Sequence, residues 1–265
     1  MCPLFARSLN REAKMVCHCL VLEVDDGLVL VDSGMGVGDL IDPRAALGAL
    51  FTTVTRPRRD VADSAVRQIE RFGFRAADVR HIVVTHLDLD HAGGIPDFPE
   101  ATVHCYRPEH VAATARATAN KRNRYKPHQL GTARFALHEP DGQGDRWFGF
   151  EAVKPIPGLD VALVPLIGHT RGHAGVAVRA DTGWLLHCGD AYFHEAEMDV
   201  ANPRCPALLR GFQRVMAVDN EKRLQNQARL RELVMAHGAE VRLFSAHDPS
   251  EFAALADPVP HRVAA

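Results

Sequence analysis

The sequence has no apolar run approaching the length of a membrane span, so a helix crossing a bilayer is not expected. Its six cysteines, at positions 2, 17, 19, 105, 188 and 205, form no Cys-x-x-Cys pair and no dense framework. A disulfide scaffold is therefore excluded, and reduced thiols in a cytoplasm are expected. The formal charge of −2 leaves no global basic footprint, which removes nucleic acid as the default partner. The first residues, Met1-Cys2-Pro3-Leu4-Phe5-Ala6-Arg7, lack the apolar stretch of a secretory leader. A soluble, cytoplasmic protein with a small-molecule partner is the expectation. What is present is 265 residues with 46% hydrophobic content, enough for a large core in one domain spanning 1–265.

The chain is organised around Thr85-His86-Leu87-Asp88-Leu89-Asp90-His91-Ala92-Gly93-Gly94. It follows His81-Ile82-Val83-Val84, an apolar run that reads as a short buried strand, so the polar cluster falls where a strand stops and a loop begins. His86, Asp88, Asp90 and His91 are imidazoles and carboxylates, the ligand types of first-row metals. Ionisable groups at that density repel one another or strand buried charge, and a bound cation is the simplest compensation.

Elsewhere the elements alternate between strands and helices. Residues 16–24 and 28–31 read as two strands around the turn Asp25-Asp26-Gly27, the second ending in Asp32-Ser33-Gly34-Met35-Gly36. Cys17-His18-Cys19, placed on a strand, sends its sulfurs to one face and His18 to the other, which favours packing over a metal cluster. Helical spacing over 61–72 ends at Gly73; 101–106 reads as a strand and 109–119 as a helix, with His104 and His110 in packing or surface roles. Residues 120–158 read as a cap or insert over the site, with a basic run at 121–126 that either presents a solvated face or attracts an anionic substrate, the first being favoured, and a turn at Asp141-Gly142-Gln143-Gly144-Asp145. His128 and His138 belong to this insert.

Strands are expected at 161–167, 174–179 and 184–187, a helix at 220–237 closed by Gly238, and a last strand at 241–245. Four strands then end in His or Asp: at 86–91, at His169, at Asp190 and at His247. Strands packed side by side bring their ends to one rim, and this many ligands suffices for two ions sharing a carboxylate. His187 and Cys188 read as packing residues, while His194, Glu195 and Glu197 fall in a loop near that rim.

These residues resemble the metallo-β-lactamase fold superfamily, whose hallmark is a His-x-His-x-Asp-His loop followed by His, Asp and His on later strand ends. The resemblance runs from about residue 16 to residue 247 and takes in Asp32-Ser33-Gly34, Gly168-His169-Thr170-x-Gly172-His173 and Gly189-Asp190. It implies an α/β (α+β) four-layer αββα sandwich with metals at one edge. It implies that His86 and His169 hold one metal, that Asp90, His91 and His247 hold the other, and that Asp190 bridges them. His173 would orient a neighbour by hydrogen bond. The sequence departs from the hallmark at Asp88, which stands where the second histidine belongs. With Asp88 as a ligand, two divalent ions are expected, zinc first, with iron or manganese as the alternatives that a harder anionic donor introduces.

The implied chemistry is hydrolysis of an ester-like bond by a metal-bound hydroxide, with Asp90 passing a proton to the leaving group. Length, ligand spacing and Asp190-Ala191-Tyr192 look most like the lactonase branch, including acyl-homoserine lactonases, in which a tyrosine after the bridging aspartate assists the substrate carbonyl. Tyr192 stands either in that role or in the core. A thioester hydrolase resembling glyoxalase II is the nearest alternative. An iron-dependent, oxygen-reactive protein is the alternative from another class, since flavodiiron proteins resemble this chain in placing a carboxylate at the position of Asp88.

Overall fold

The computed structural model describes residues 2–3, 14–140 and 146–256. The turn expected at 141–145 lies outside the described residues. Among the described residues nine strands form the two main sheets, beside two short two-stranded ladders. In the first, β1 (Leu20–Val24) and β2 (Gly27–Val31) make an antiparallel hairpin, with Gly27 at φ 133°. To β2 are added, in parallel, β3 (Val79–Val83), β4 (Thr102–Tyr106) and β5 (Arg134–His138). The second sheet is an antiparallel meander of β6 (Val161–Pro165), β7 (Ala174–Ala180) and β8 (Gly183–His187), with β9 (Val241–Phe244) parallel to β8.

Pleat alternation sorts the apolar runs into layers. Val29, Val31 and Val83 face Leu163, Val176 and Val178 between the sheets. Leu28, Leu30, Ile82 and Val103 face outward against Val66 and Ile69 of helix Ala65–Arg71 and Ala112 and Ala113 of helix Arg107–Ala115. The outer face of the second sheet, with Ala162, Val164, Ala177, Leu186 and Val241, packs on Leu230 and Leu233 of helix Asn220–His237. The order is helix, sheet, sheet, helix, the expected αββα sandwich. Strands apolar on both faces read as continuous hydrophobic runs because both faces are covered.

Several local expectations change. The first strand starts at Leu20 rather than at residue 16, because 16–18 hydrogen-bond to the loop after β9 instead: Val16 N–H to the His247 carbonyl at 3.3 Å and His18 N–H to the Ala246 carbonyl at 2.9 Å. The helix expected over 61–72 splits at Ser64, whose hydroxyl donates to the Val61 carbonyl, leaving a 3-10 turn Val61–Asp63 before helix Ala65–Arg71. The next helix spans Arg107–Ala115 and stops at left-handed Arg116; Thr118 then caps helix Ala119–Arg124. Within the stretch read as an insert, β5 pairs along its whole length with β4, and Trp147 and Phe150 are buried against the second sheet. Those segments are scaffold. Helices Val37–Ile41, Pro43–Leu47, Ala49–Thr55 and Pro249–Leu255 are too short to show a periodic pattern in the sequence, and the amphipathic helix Ala207–Met216 is a further element beyond those expected from the sequence.

Leu230 is fully buried where the long helix meets the second sheet. Leu230→Ala is expected to cost about 3 kcal/mol of stability through lost burial and the cavity left behind. Urea denaturation will read this as a lower midpoint at unchanged slope.

Candidate metal centre

The loop after β3 is folded onto Asp32 at the end of β2. Asp32 accepts from the Thr85 N–H at 2.7 Å, the Thr85 hydroxyl at 2.8 Å and His91 Nδ1 at 2.8 Å. Ser33 adds backbone and hydroxyl bonds to the His91 carbonyl. Burial opposes ionisation of Asp32, yet the His91 charge and hydrogen bond outweigh it and bring the carboxyl down to about 2. On the other side, buried Glu109 accepts from the Leu87 N–H, the Gly172 N–H and the Tyr125 hydroxyl, tying this loop to the loop after β6. Gly172 leaves no room for a side chain, since a Cβ would strike the Glu109 backbone.

The four strand-end loops then converge. His169 Nε2 lies 3.0 Å from Asp88 Oδ2 and 3.1 Å from Asp190 Oδ2, and His86 Nε2 lies 3.4 and 3.8 Å from the same two oxygens. The other oxygen of Asp190 is 3.1 Å from His91 Nε2 and 3.0 Å from His247 Nε2. Asp190 therefore faces two groups at once, one oxygen to each. Asp90 approaches His91 Nε2 at 4.0 Å and His247 Nε2 at 3.9 Å, and keeps 23% of its side chain exposed, the most open member of the cluster.

The tautomers suit metal binding. Nδ1 of His91 donates to Asp32, Nδ1 of His247 to the Val16 carbonyl at 2.8 Å, and Nδ1 of His86 to the Thr85 hydroxyl at 3.0 Å. Each Nε2 lone pair is thereby aimed into the cluster. His86 Nε2, His91 Nε2 and Asp190 Oδ1 are buried without an aligned hydrogen bond. Buried polar atoms are ordinarily paired, and this set of unpaired donor atoms fits cations better than a proton network. His173 plays the expected supporting part: its Nδ1 donates to the Leu166 carbonyl and its Nε2 accepts the Asp190 N–H at 2.9 Å.

The electrostatics agree. Burial opposes ionisation of Asp190, but His247, His169 and His91 outweigh it and hold the carboxyl well below the usual range. Burial likewise opposes protonation of His91 and His247, yet Asp190, with Asp32 and Asp90 respectively, pulls both upward. Four carboxylates, Asp32, Asp88, Asp90 and Asp190, share this rim with one guanidinium, that of Arg124. Divalent ions held there would supply balancing positive charge.

Arg124 is the residue that the sequence pattern hides. It lies in the basic run read as a solvated face, yet its Nε is 3.2 Å from Asp88 Oδ1 and both groups are nearly fully buried. Its other nitrogens donate to the His169 and Met216 carbonyls. Tyr125 is also buried, while residues 120, 122 and 123 remain exposed, as the expectation had it. Cys17 is the second such residue: its sulfur, a carboxylate oxygen of Asp90 and a ring nitrogen of His247 lie within 4.8 Å of one another.

Other expectations resolve into structure. Tyr192 does not face the cluster as a substrate-assisting group; its ring is in the core behind the second sheet and its hydroxyl donates to Glu251 at 2.8 Å. Glu197 is buried and accepts from the Phe193 and His194 N–H groups and from Gln213 and Gln227, which makes it a strut. His194 caps the Ala196 N–H, and the Glu195 N–H donates to Asp248. His128 donates to Asp39, His138 joins His104 at 3.0 Å, and His187 donates to the His18 carbonyl. Phe193, unnoticed in the sequence, stacks on His247 with centroids 4.8 Å apart and belongs to an apolar cluster with Met35, Leu40, Leu47 and Leu89.

Histidines and aspartates gathered at the strand ends of an αββα sandwich define a metal-site protein of the metallo-β-lactamase fold. The chain belongs to the Metallo-beta-lactamase superfamily, whose profile matches residues 14–239. A probable metallo-hydrolase of Mycobacterium tuberculosis is 44% identical over 238 residues, covering 89% of this chain and 75% of its own length. An N-acyl homoserine lactonase of Bacillus cereus is 27% identical over 231 residues, covering 87% and 80%. Among solved structures, an AiiA variant of B. thuringiensis with N-decanoyl-L-homoserine at its active site is similar in fold, with a TM-score of 0.72 at 23% identity over 96% of this chain and 92% of that one. AidC, a dizinc quorum-quenching lactonase, has a TM-score of 0.59 at 17% identity over 89% and 73%.

Two outcomes are expected from these contacts. Arg124→Met leaves Asp88 buried without its counter-ion and should cost about 3 kcal/mol. Adding Asp88→Asn should recover part of that loss, as a double-mutant cycle by urea denaturation of metal-free protein will measure. Burial raises the Glu251 carboxyl from 4.5 to about 7. A carboxyl raised on folding contributes stability below its unfolded value that is lost as pH rises through its folded value, so stability should decline between pH 4.5 and about 7. Glu251→Gln should flatten that decline in a series of denaturation midpoints against pH.

Proposed function

We propose that the protein is a hydrolase of ester-like bonds, a lactone above all, working with two divalent metal ions in a cytoplasmic setting on a small-molecule substrate. The observation that carries this reading is the double-facing Asp190, with His86, Asp88 and His169 about one oxygen and His91 and His247 about the other. In this reading His86, Asp88 and His169 would hold the first metal and Asp90, His91 and His247 the second, with Asp190 serving both. Ions held there supply Lewis acidity toward a carbonyl and bring the pKa of water toward about 7. Similarity to lactonases at 27% identity and below supports the substrate class.

The chain's own groups supply the rest. Asp90, open to solvent, is placed to accept a proton and return it to the leaving alkoxide. Asp32, Thr85 and the Val16 carbonyl hold the Nδ1–H tautomer of His91, His86 and His247, so that Nε2 of each neutral ring is the atom aimed inward. Phe193, Met35 and Leu89 form an apolar wall beside His247, suited to an acyl chain. Asp88 and Arg124 together are a neutral unit, as the hallmark histidine is, so the substitution adds no net negative charge to the first site. That pairing favours zinc and hydrolysis over the iron-dependent redox reading. Among the described residues no helix is long and apolar enough to cross a membrane.

The test is metal content of protein purified without added metal, followed by turnover of an N-acyl homoserine lactone, a glutathione thioester and a phosphodiester. Two zinc ions per chain with the lactone preferred is the expected result. Asp90→Asn should lower kcat roughly 100-fold or more. A thioester preference would move the substrate to the glyoxalase-like alternative. Bound iron with oxygen consumption and no hydrolysis would overturn the proposal.

A further inference from the structure

From the placement of its N-terminal segment we infer that Cys17 is an additional ligand of the second metal, giving that site a sulfur donor besides Asp90, His91, His247 and Asp190. The inference rests on the metal-site assignment proposed above. Residues 16–18 run alongside the His247 loop through three bonds: Val16 N–H to the His247 carbonyl at 3.3 Å, His18 N–H to the Ala246 carbonyl at 2.9 Å, and His247 Nδ1 to the Val16 carbonyl at 2.8 Å. The last of these orients His247, and the pair on either side clamps Cys17 beside it. The same backbone that aims the imidazole thus aims the thiol.

The three side chains of this segment divide their roles. His18 turns into an aromatic pocket of Phe244, Phe252 and His187. Cys19 reaches back to the Cys17 carbonyl at 4.0 Å. Cys17 alone of the three joins the cluster with Asp90 and His247. Opposite it stands Gly34 at φ 63°, where a Cβ would sit 3.8 Å from the Cys17 Cβ and 3.6 Å from the Cys19 sulfur. These are ordinary packing distances, so the loop after β2 lies in contact with this segment, and it is the left-handed backbone of Gly34 that favours glycine there.

Sulfur changes what the second site prefers. A thiolate is a soft donor suited to zinc, cadmium or cobalt(II), and it disfavours manganese and magnesium. The first site, by contrast, has only imidazole and carboxylate donors. The two sites then differ in metal preference, and the softer ion belongs beside Cys17. On coordination the thiol proton leaves to solvent.

The test loads metal-free full-length protein with two equivalents of cobalt(II) and reads the near-ultraviolet sulfur-to-cobalt charge-transfer band, with bound cobalt counted separately. The band is expected in the unmodified protein and in Cys19→Ser, and is expected to be lost in Cys17→Ser. Two bound cobalt ions without the band, or a band that survives Cys17→Ser, would overturn the inference while leaving the metal centre intact. Failure to bind cobalt at all would overturn both it and the metal-site assignment. If Cys17→Ser does not fold, alkylation of the unmodified protein decides the matter. Bound zinc should slow alkylation of Cys17, mapped by peptide mass, and leave the remote Cys205 unchanged; equal rates for Cys17 with and without zinc would overturn the inference.

Discussion

The energetic constraint behind this structure is the burial of several carboxylates at one rim of a sandwich, in a medium that penalises unpaired charge. Asp32, Asp88 and Asp190 are each nearly inaccessible. Each has a different remedy. Asp32 is answered by two bonds from Thr85 and one from His91. Asp88 is answered in part by Arg124, and Asp190 by imidazoles on both of its oxygens. The arrangements around Asp88 and Asp190 both leave buried polar atoms without a hydrogen bond, and it is there that a cation has donor atoms to meet.

Much of the surrounding scaffold follows from holding those groups still. Glu109 links the loop after β3 to the loop after β6, and Gly172 is required where the two backbones meet. His173 fixes the Asp190 backbone, and the 16–18 segment fixes His247 from the opposite side. The ligands come from four loops, yet each loop is tied to a neighbour by buried hydrogen bonds. Such cross-bracing is what gives loop residues the positional accuracy that metal coordination needs.

The ligand loop was legible in the sequence because its residues sit close together and follow a clear apolar strand. His169, Asp190 and His247 were legible because each also ends a strand, and parallel and meandering strands bring their ends together. Tyr192 shows the limit of the argument. Its position two residues after Asp190 suited a role in the site, but the turn after β8 sends its ring behind the sheet and its hydroxyl to Glu251. The stretch 120–158 shows another, because β5 is only five residues long and becomes recognisable as an edge strand through its pairing with β4.

What the sequence determined by itself is the class of fold and the kinds of side chain gathered at the candidate centre, since apolar periodicity and residue type are local properties of the chain. What only the tertiary structure decided is which polar residues outside the motif reach that centre. Arg124 is one cation in a run of them, and its burial depends on the helix that carries it lying against Asp88 and the Met216 carbonyl. Cys17 reads as part of a strand, and its place beside Asp90 and His247 depends on backbone bonds to a loop some 230 residues away, Val16 to His247 being 231 apart. Contacts of that separation leave no periodic trace, because they are set by how the layers pack and not by neighbours in the chain.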